Sequence, residues 1–369
     1  MDSTPHSDLV QAIDQATAPV SVQPKVILDQ LVNLCIEREA SDIHFGEGSR
    51  VALRVQGKIV FVENIQTLSH EEMEAMVGQM LTSPDEHKRL ERVRELDFSY
   101  TNNNGVSFRV NVFYQRGKLS AVMRMISKHI PPLEQLGVPE VIKNLLGLRQ
   151  GLILVTGNTG SGKSTTIQAM LEYLNENFVE HIITIENPIE HVFADKKSIF
   201  TQRELGKDTL TIPNGLQAAI RQDPNVIMVS EVSDFEALDG VLRVAETGHL
   251  VIASMLTKNV VQTLERMIAM FPQAQHEQAQ NRIADNLIAV LSQALVDRAD
   301  GAGRVAVCEL LINSQNIPNL LRHGNISQIP TALQGGRSEG MVTREASAAE
   351  LAEQGVISQE VAAQFAAND

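Results

Sequence analysis

Two cysteines among 369 residues, Cys35 and Cys308, lie far apart in the apolar contexts NLCIE and AVCEL. That scarcity excludes a disulfide framework and a four-cysteine zinc module, and both thiols read as buried side chains. Long apolar runs are missing as well. GLILVTG and HLVIASML fall well short of the ~20 residues that a bilayer-spanning helix needs. The stretch MDSTPHSDLVQAIDQATAPVSVQP has no basic segment followed by an apolar core, so no secretory signal is expected. A cytoplasmic protein with a flexible, polar head over residues 1–24 fits best. Positive charge is also in short supply. The formal net charge is -14, and no nucleic-acid partner is expected, because general affinity for a phosphate backbone comes mainly from Lys and Arg displacing counterions. What is present is 43% hydrophobic content with mixed charge, an ordinary globular composition in a chain long enough for two or three domains.

Along the chain, hydrophobic spacing marks a helix from about Lys25, with Val26, Ile27, Leu31, Leu34 and Cys35 recurring at helical intervals. SDIHFGEGSRVALRVQGKIVFVEN then alternates apolar and polar residues around a Gly-Lys turn, the mark of paired strands. LDFSYTNNNGVSFRVNVFYQRGKLSAVMRMI repeats that pattern with Asn104-Gly105 and Arg116-Gly117 as turns. The intervening EEMEAMVGQM and HKRLERVREL read as solvated helices that support the same module, residues 25–128, of α+β type. Pro131, Pro132 and Pro139 mark residues 129–148 as a linker leading into a helix. Over residues 149–300 the apolar runs GLILVTG, HIITIE, VIMVS and HLVIAS alternate with helical segments, which predicts an α/β domain with a parallel sheet covered on both faces. Residues 301–369 add one strand-like run, RVAVCELLIN, helical segments, and a polar end expected to fray.

One stretch carries explicit chemistry. Gly157-Asn158-Thr159-Gly160-Ser161-Gly162-Lys163-Ser164 satisfies GxxxxGK[ST] between a buried strand, LILVT, and a helix that opens with Thr165. The glycines let the backbone turn its N–H groups toward phosphates, and the helix N-terminus adds a favourable dipole. Lys163 neutralises the β and γ phosphates and Ser164 offers a hydroxyl to Mg2+. ATP with Mg2+ is therefore the expected ligand of residues 157–165. Phosphoryl transfer also uses carboxylates at strand ends to organise metal and water. Glu186 ends HIITIE and Glu231 ends VIMVSE, at the strand ends where ligands bind in open α/β sheets; each could instead cap a helix or form an ion pair. Among the histidines, His44 in SDIHF reads as structural, whereas His249 precedes a strand expected to run toward the nucleotide. ERMIAMFP reads as core or subunit contact.

Taken together, these residues resemble the type IV pilus retraction ATPases, the PilT-like group of the secretion ATPase superfamily. The resemblance runs from ASDIHF at Ala40 to about Gly340-Met341. ITIENPIEH is similar to the family's Asp box, DPNVIMVSE to its second nucleotide motif and AETGHLVIASMLT to its His box; FRVNVF and VMRMI match its N-terminal module, and TQRELGKDT matches in type and order. The resemblance implies a homohexameric ATPase motor with a RecA-like core and a PAS-like N-terminal domain. It implies that Arg109 and Arg124, with Arg116 as a third candidate, reach the phosphates of a neighbouring subunit's site. Of the strand-end carboxylates Glu231 is expected to serve the metal with Ser164, and His249, by its place ahead of a strand, is a further candidate for the site. The implied partners are an inner-membrane pilus platform protein and, in an alternative reading, an active paralogous retraction ATPase.

Four positions depart from the family pattern. Asn187 replaces the Asp of Glu-Asp-Pro, Ser233 stands where an Arg is expected, Leu256 replaces the second histidine of the His box, and Asn316-Ile317-Pro318 stands for Ala-Ile-Arg. Leucine cannot donate to a phosphate or relay its presence through a hydrogen bond. Nucleotide binding is therefore expected intact, with hydrolysis or its coupling to movement weakened. The pilus-extension and secretion branches usually carry the zinc module that two isolated cysteines cannot build.

Overall fold

The computed structural model describes residues 24–366 except 56, 64, 82, 127, 128, 302 and 315. The polar head expected over residues 1–24 lies outside the described residues up to residue 23, as do the side chain of Val26 and the last three residues. Contacts divide the chain into two compact units, 1–126 and 127–369.

In the first unit, alternating sequences pair as the spacing predicts. Strands β1 (Ala40–Gly46), β2 (Ala52–Val55), β3 (Lys58–Phe61), β4 (Glu95–Thr101), β5 (Ser107–Gln115) and β6 (Lys118–Met125) form one antiparallel sheet in the order β3-β2-β1-β6-β5-β4. Gln115 pairs with Lys118 across Arg116 (φ 51°) and Gly117 (φ 78°). Two positive φ values are what a tight primed hairpin turn requires. The period of two puts Ile43, Phe45, Leu53, Val110, Val112 and Met123 into a core shared with helix Pro24–Glu37, whose Leu28, Leu31 and Cys35 are buried. Helix His70–Met80 opens on a capping box between Ser69 and Glu72. It is less solvated than its charge suggests, since Met73, Met76, Val77 and Met80 join that core.

The second unit is built on a seven-stranded sheet: β7 (Gly151–Thr156), β8 (His181–Glu186), β9 (Ile199–Glu204), β10 (Val226–Val229), β11 (Leu250–Met255), β12 (Leu287–Asp297) and β13 (Arg304–Ile312), in the order β13-β12-β7-β11-β10-β8-β9. All neighbouring pairs are parallel except β12 with β13. The parallel sheet expected from the apolar runs thus ends in an antiparallel edge, and two of its strands, β9 and β12, were not marked by those runs. Both faces are covered: Leu152, Leu154, Ile183, Ile227 and Val251 face one core, and Ile153, Val155, Ile182, Val226 and Ile252 the other. Residues 129–148, expected as a linker, bury Leu133, Val138, Ile142 and Leu146 in the second of these cores. Helix Arg344–Glu353 packs Ala348 and Leu351 on Val305 and Val307 of β13.

Candidate active site

The carboxyl ends of the parallel strands gather the chemistry. β7 delivers the chain into the loop 157–162, which turns through Gly157 (φ 149°), Gly160 (φ 79°) and Gly162 (φ 90°). A Cβ on Gly157 would collide with Ser161 Oγ and with the backbone oxygen of Gln293 on β12, so glycine is required there by both conformation and space. The loop ends at helix Lys163–Asn177. Other helices of this unit open on a side-chain cap from Thr211, Asp234, Asn259 or Thr343. This one opens on Gly162, which has no side chain to give, and its first amides are left to an anion drawn by the helix dipole.

Lys163, the first residue of that helix, folds back over the loop and donates from Nζ to the backbone oxygens of Gly157 at 2.9 Å and Asn158 at 3.0 Å. Burial lowers the pKa of its ammonium, against the opposing charges of Glu231 and Glu190. A half-buried cation of this kind gains from a polyphosphate. Ser161 Oγ is buried without a hydrogen-bond partner, whereas Ser164, Asn158, Thr159 and Gly160 are exposed and Thr165 is half-buried. Open amides, an orphaned hydroxyl and a desolvated lysine fit a nucleoside triphosphate. Among the described residues no group of three or more His, Cys, Asp or Glu could hold a metal by itself.

The two predicted carboxylates differ in kind. Glu231 follows β10, is exposed, and acts electrostatically on Lys163. Glu186 ends β8 and is buried. Burial pushes its carboxyl up to about 7, against hydrogen bonds from Thr184, Gln202 and the Glu190 backbone. Thr184 Oγ1 donates to Glu186 Oε1 at 2.6 Å and Gln202 Nε2 donates to the same oxygen at 3.1 Å. Glu190 links Glu186 to the lysine, its N–H turned to Glu186 and its charge acting on Lys163. Sequence reasoning passed over Glu190, Thr184 and Gln202. Glu190 stood in plain view in ITIENPIEH, but only the folded loop shows where it points.

His249 is not brought to the loop of its own chain. It precedes β11, whose Leu250 pairs with Gly151 and whose Met255 pairs with Thr156 beside the loop. At about 3.3 Å per residue the strand separates the two ends by roughly 17 Å. The reason is direction: β11 runs toward the nucleotide end, so a residue before it lies at the opposite rim. Its ring faces Thr247 Oγ1 at 3.1 Å and the Val244 carbonyl at 3.3 Å. Leu256, by contrast, follows β11 at the loop's own rim and is 39% exposed. Ser233 and Asn187 are exposed. In the first unit, Arg109 and Arg124 face each other across β5 and β6. Arg124 Nε donates to the buried Asp42 at 2.7 Å, with Arg54 3.7 Å from the same carboxylate. Burial alone would raise the Asp42 carboxyl, but Ser41 and Arg124 hold it below its usual range. His44 lies two residues along β1, with its Nε2 buried and unpartnered.

A largely parallel α/β sheet, an interior strand running through a glycine loop into an uncapped helix, and carboxylates at the neighbouring strand ends define a P-loop nucleoside triphosphatase. A model of the Type II/IV secretion system proteins matches residues 19–318, and the chain belongs to that family. It is similar to the type IV pilus retraction ATPase PilT of Pseudomonas aeruginosa, with 37% identity over 90% of this chain and 96% of the relative. It is nearly as similar to the type IV pilus ATPase PilU of the same organism, at 36% over 92% of this chain and 89% of the relative. The crystal structure of the pilus retraction motor PilT with bound ADP superposes with a TM-score of 0.83 at 40% identity, covering 93% of this chain and 97% of that one.

Proposed function

We propose that this chain is an ATP-hydrolysing motor subunit that drives type IV pilus retraction, working as a homohexamer. The observation that carries the reading is Lys163, desolvated over the glycine loop and flanked by the charges of Glu231 and Glu190. In this reading, residues 157–165 cradle the phosphates, and Ser164 with Glu231 holds Mg2+, which supplies charge neutralisation at the transferred phosphoryl group. Glu186 accepts the proton of the attacking water as that oxygen bonds to the γ-phosphorus and the bond to the ADP oxygen breaks. A carboxyl near pH 7 suits a base that must be ionised yet willing to take a proton. Arg109 and Arg124 act on the phosphates of a neighbouring subunit. The unit that carries them is read as the PAS-like domain. Association with the inner membrane is peripheral, through the pilus platform protein; among the described residues no helix is long and apolar enough to cross a membrane.

A second reading is favoured by one observation. Leu256 puts an exposed, non-hydrogen-bonding side chain at the nucleotide rim. In it the chain binds ATP, hydrolyses little, and acts with an active paralogous retraction ATPase. Steady-state phosphate release separates the two. The motor reading predicts release that falls at least a hundredfold in Lys163→Ala, on the order of what one lost electrostatic contact to the transition state removes. Equal rates for the two proteins contradict it and leave the accessory role.

A further inference from the structure

The proton acceptor assigned above does not stand alone: the edge strand of the sheet holds it and the segment that follows it. β8 and β9 are parallel and in register, Thr184 opposite Gln202 and Glu186 opposite Glu204. With a period of two, Thr184, Glu186, Gln202 and Glu204 share one face. Glu204, 2% exposed, accepts the Ile189 N–H at 3.0 Å. Gln202 accepts the Phe193 N–H at 2.9 Å through Oε1 and donates from Nε2 to the His191 carbonyl at 2.7 Å and to Glu186 Oε1 at 3.1 Å. The side-chain amide cannot be turned over. Only its oxygen can accept from Phe193, so its NH2 must face the carboxylate and the carbonyl.

We infer that Gln202 is a positioning residue for hydrolysis: it fixes the orientation and proton affinity of Glu186 and pins the segment 187–193 that carries Glu190 between two anchors of β9. The inference rests on Glu186 being the proton acceptor. A donor to the ionised form of a carboxylate favours that form, so Gln202 opposes the burial that raises Glu186. The charge that acts on Glu186 is that of Glu190 on the pinned segment, and Glu204 stands opposite it on β9. Both carry the same sign, so the donors Thr184, Gln202 and the Glu190 N–H are the groups that help Glu186 ionise. Among the described residues, the hydrogen bonds of Gln202 go to Glu186, His191 and Phe193 and none to the glycine loop, which separates its effect from nucleotide binding.

The test is the pH dependence of kcat/KM for phosphate release in the full chain, for wild type, Gln202→Glu, Thr184→Val and Glu186→Gln, with the Kd of a fluorescent ATP analogue measured beside it. Gln202→Glu keeps size and keeps an acceptor for Phe193 while replacing the donor. The acid limb is expected to move up by roughly one pH unit, a tenfold loss below the limb that largely recovers above it, with Kd unchanged. Thr184→Val removes the other side-chain donor and should move the limb the same way, which keeps the proposal testable if Gln202→Glu folds poorly. A uniform loss across pH with an unmoved limb in both variants overturns the positioning role. A Glu186→Gln protein that keeps the wild-type limb overturns the assignment of Glu186 itself, a distinct outcome.

Discussion

Glu186 shows how burial turns an ordinary carboxylate into a group suited to neutral pH. Its carboxyl is pushed up to about 7 from the ordinary 4.5 of a free glutamate. Between those values the folded chain holds a proton that the unfolded chain has lost, so stability from this group is complete below pH 4.5 and declines as pH rises through 7. Wild type should therefore lose about 3 kcal/mol more than Glu186→Gln between pH 4.5 and 7.5, read from urea midpoints at each pH. Parallel slopes for the two proteins would mean that the carboxyl is not held in its protonated form. The same scale separates what could be read in advance from what could not. Lys163 and Ser164 were legible because the GxxxxGK[ST] spacing dictates their geometry. Gln202 and Thr184 were not, because a glutamine in a strand shows no pattern until its neighbour is known. Leu256 was singled out as a loss, and the structure adds that it is 39% exposed just after β11.

At the scale of elements, the loop between β7 and its helix depends on β12. The Gln293 carbonyl of that strand closes over Gly157, and Gln293 Nε2 donates to Thr166 Oγ1 at 2.9 Å. Gly157→Ala should displace the loop, costing about 2 kcal/mol of stability or more, and should weaken nucleotide binding beyond that loss. Calorimetric titration with Mg-ATP beside a thermal melt checks both, and unchanged affinity would show that the loop tolerates a shifted backbone. β12 itself escaped the sequence reading for a physical reason. LIAVLSQALVD follows helix His276–Asn286 with no Gly or Pro between them, and its apolar residues satisfy helical and strand spacing equally well. β9 escaped because an edge strand with one apolar end, IFTQRE, lacks the continuous run that marks a buried one. The hairpin turns were legible because Gly105 (φ 71°) and Gly117 (φ 78°) supply the positive φ that those turns require. The direction of β11 moved His249 to the far rim of its own chain's sheet. A run of apolar residues reveals that a strand exists and leaves open which of its ends meets the ligand.

At the scale of the whole molecule, the family matched over residues 19–318 and the structure each supply a different part of the account. Composition pointed to a globular chain; the motifs added a nucleotide; the fold placed Glu186, Glu231 and Lys163 at the carboxyl ends of the parallel strands. Converting hydrolysis into filament movement needs repeated closure and release around the nucleotide. Because identity to PilT and to PilU differs by one percentage point, 37% against 36%, identity percentages do not choose between motor and accessory subunit. Pilus retraction scored in a strain lacking this gene does. Complementation with the wild-type chain is predicted to restore retraction and complementation with Glu231→Ala to leave it lost; full retraction with the alanine variant would contradict the motor role.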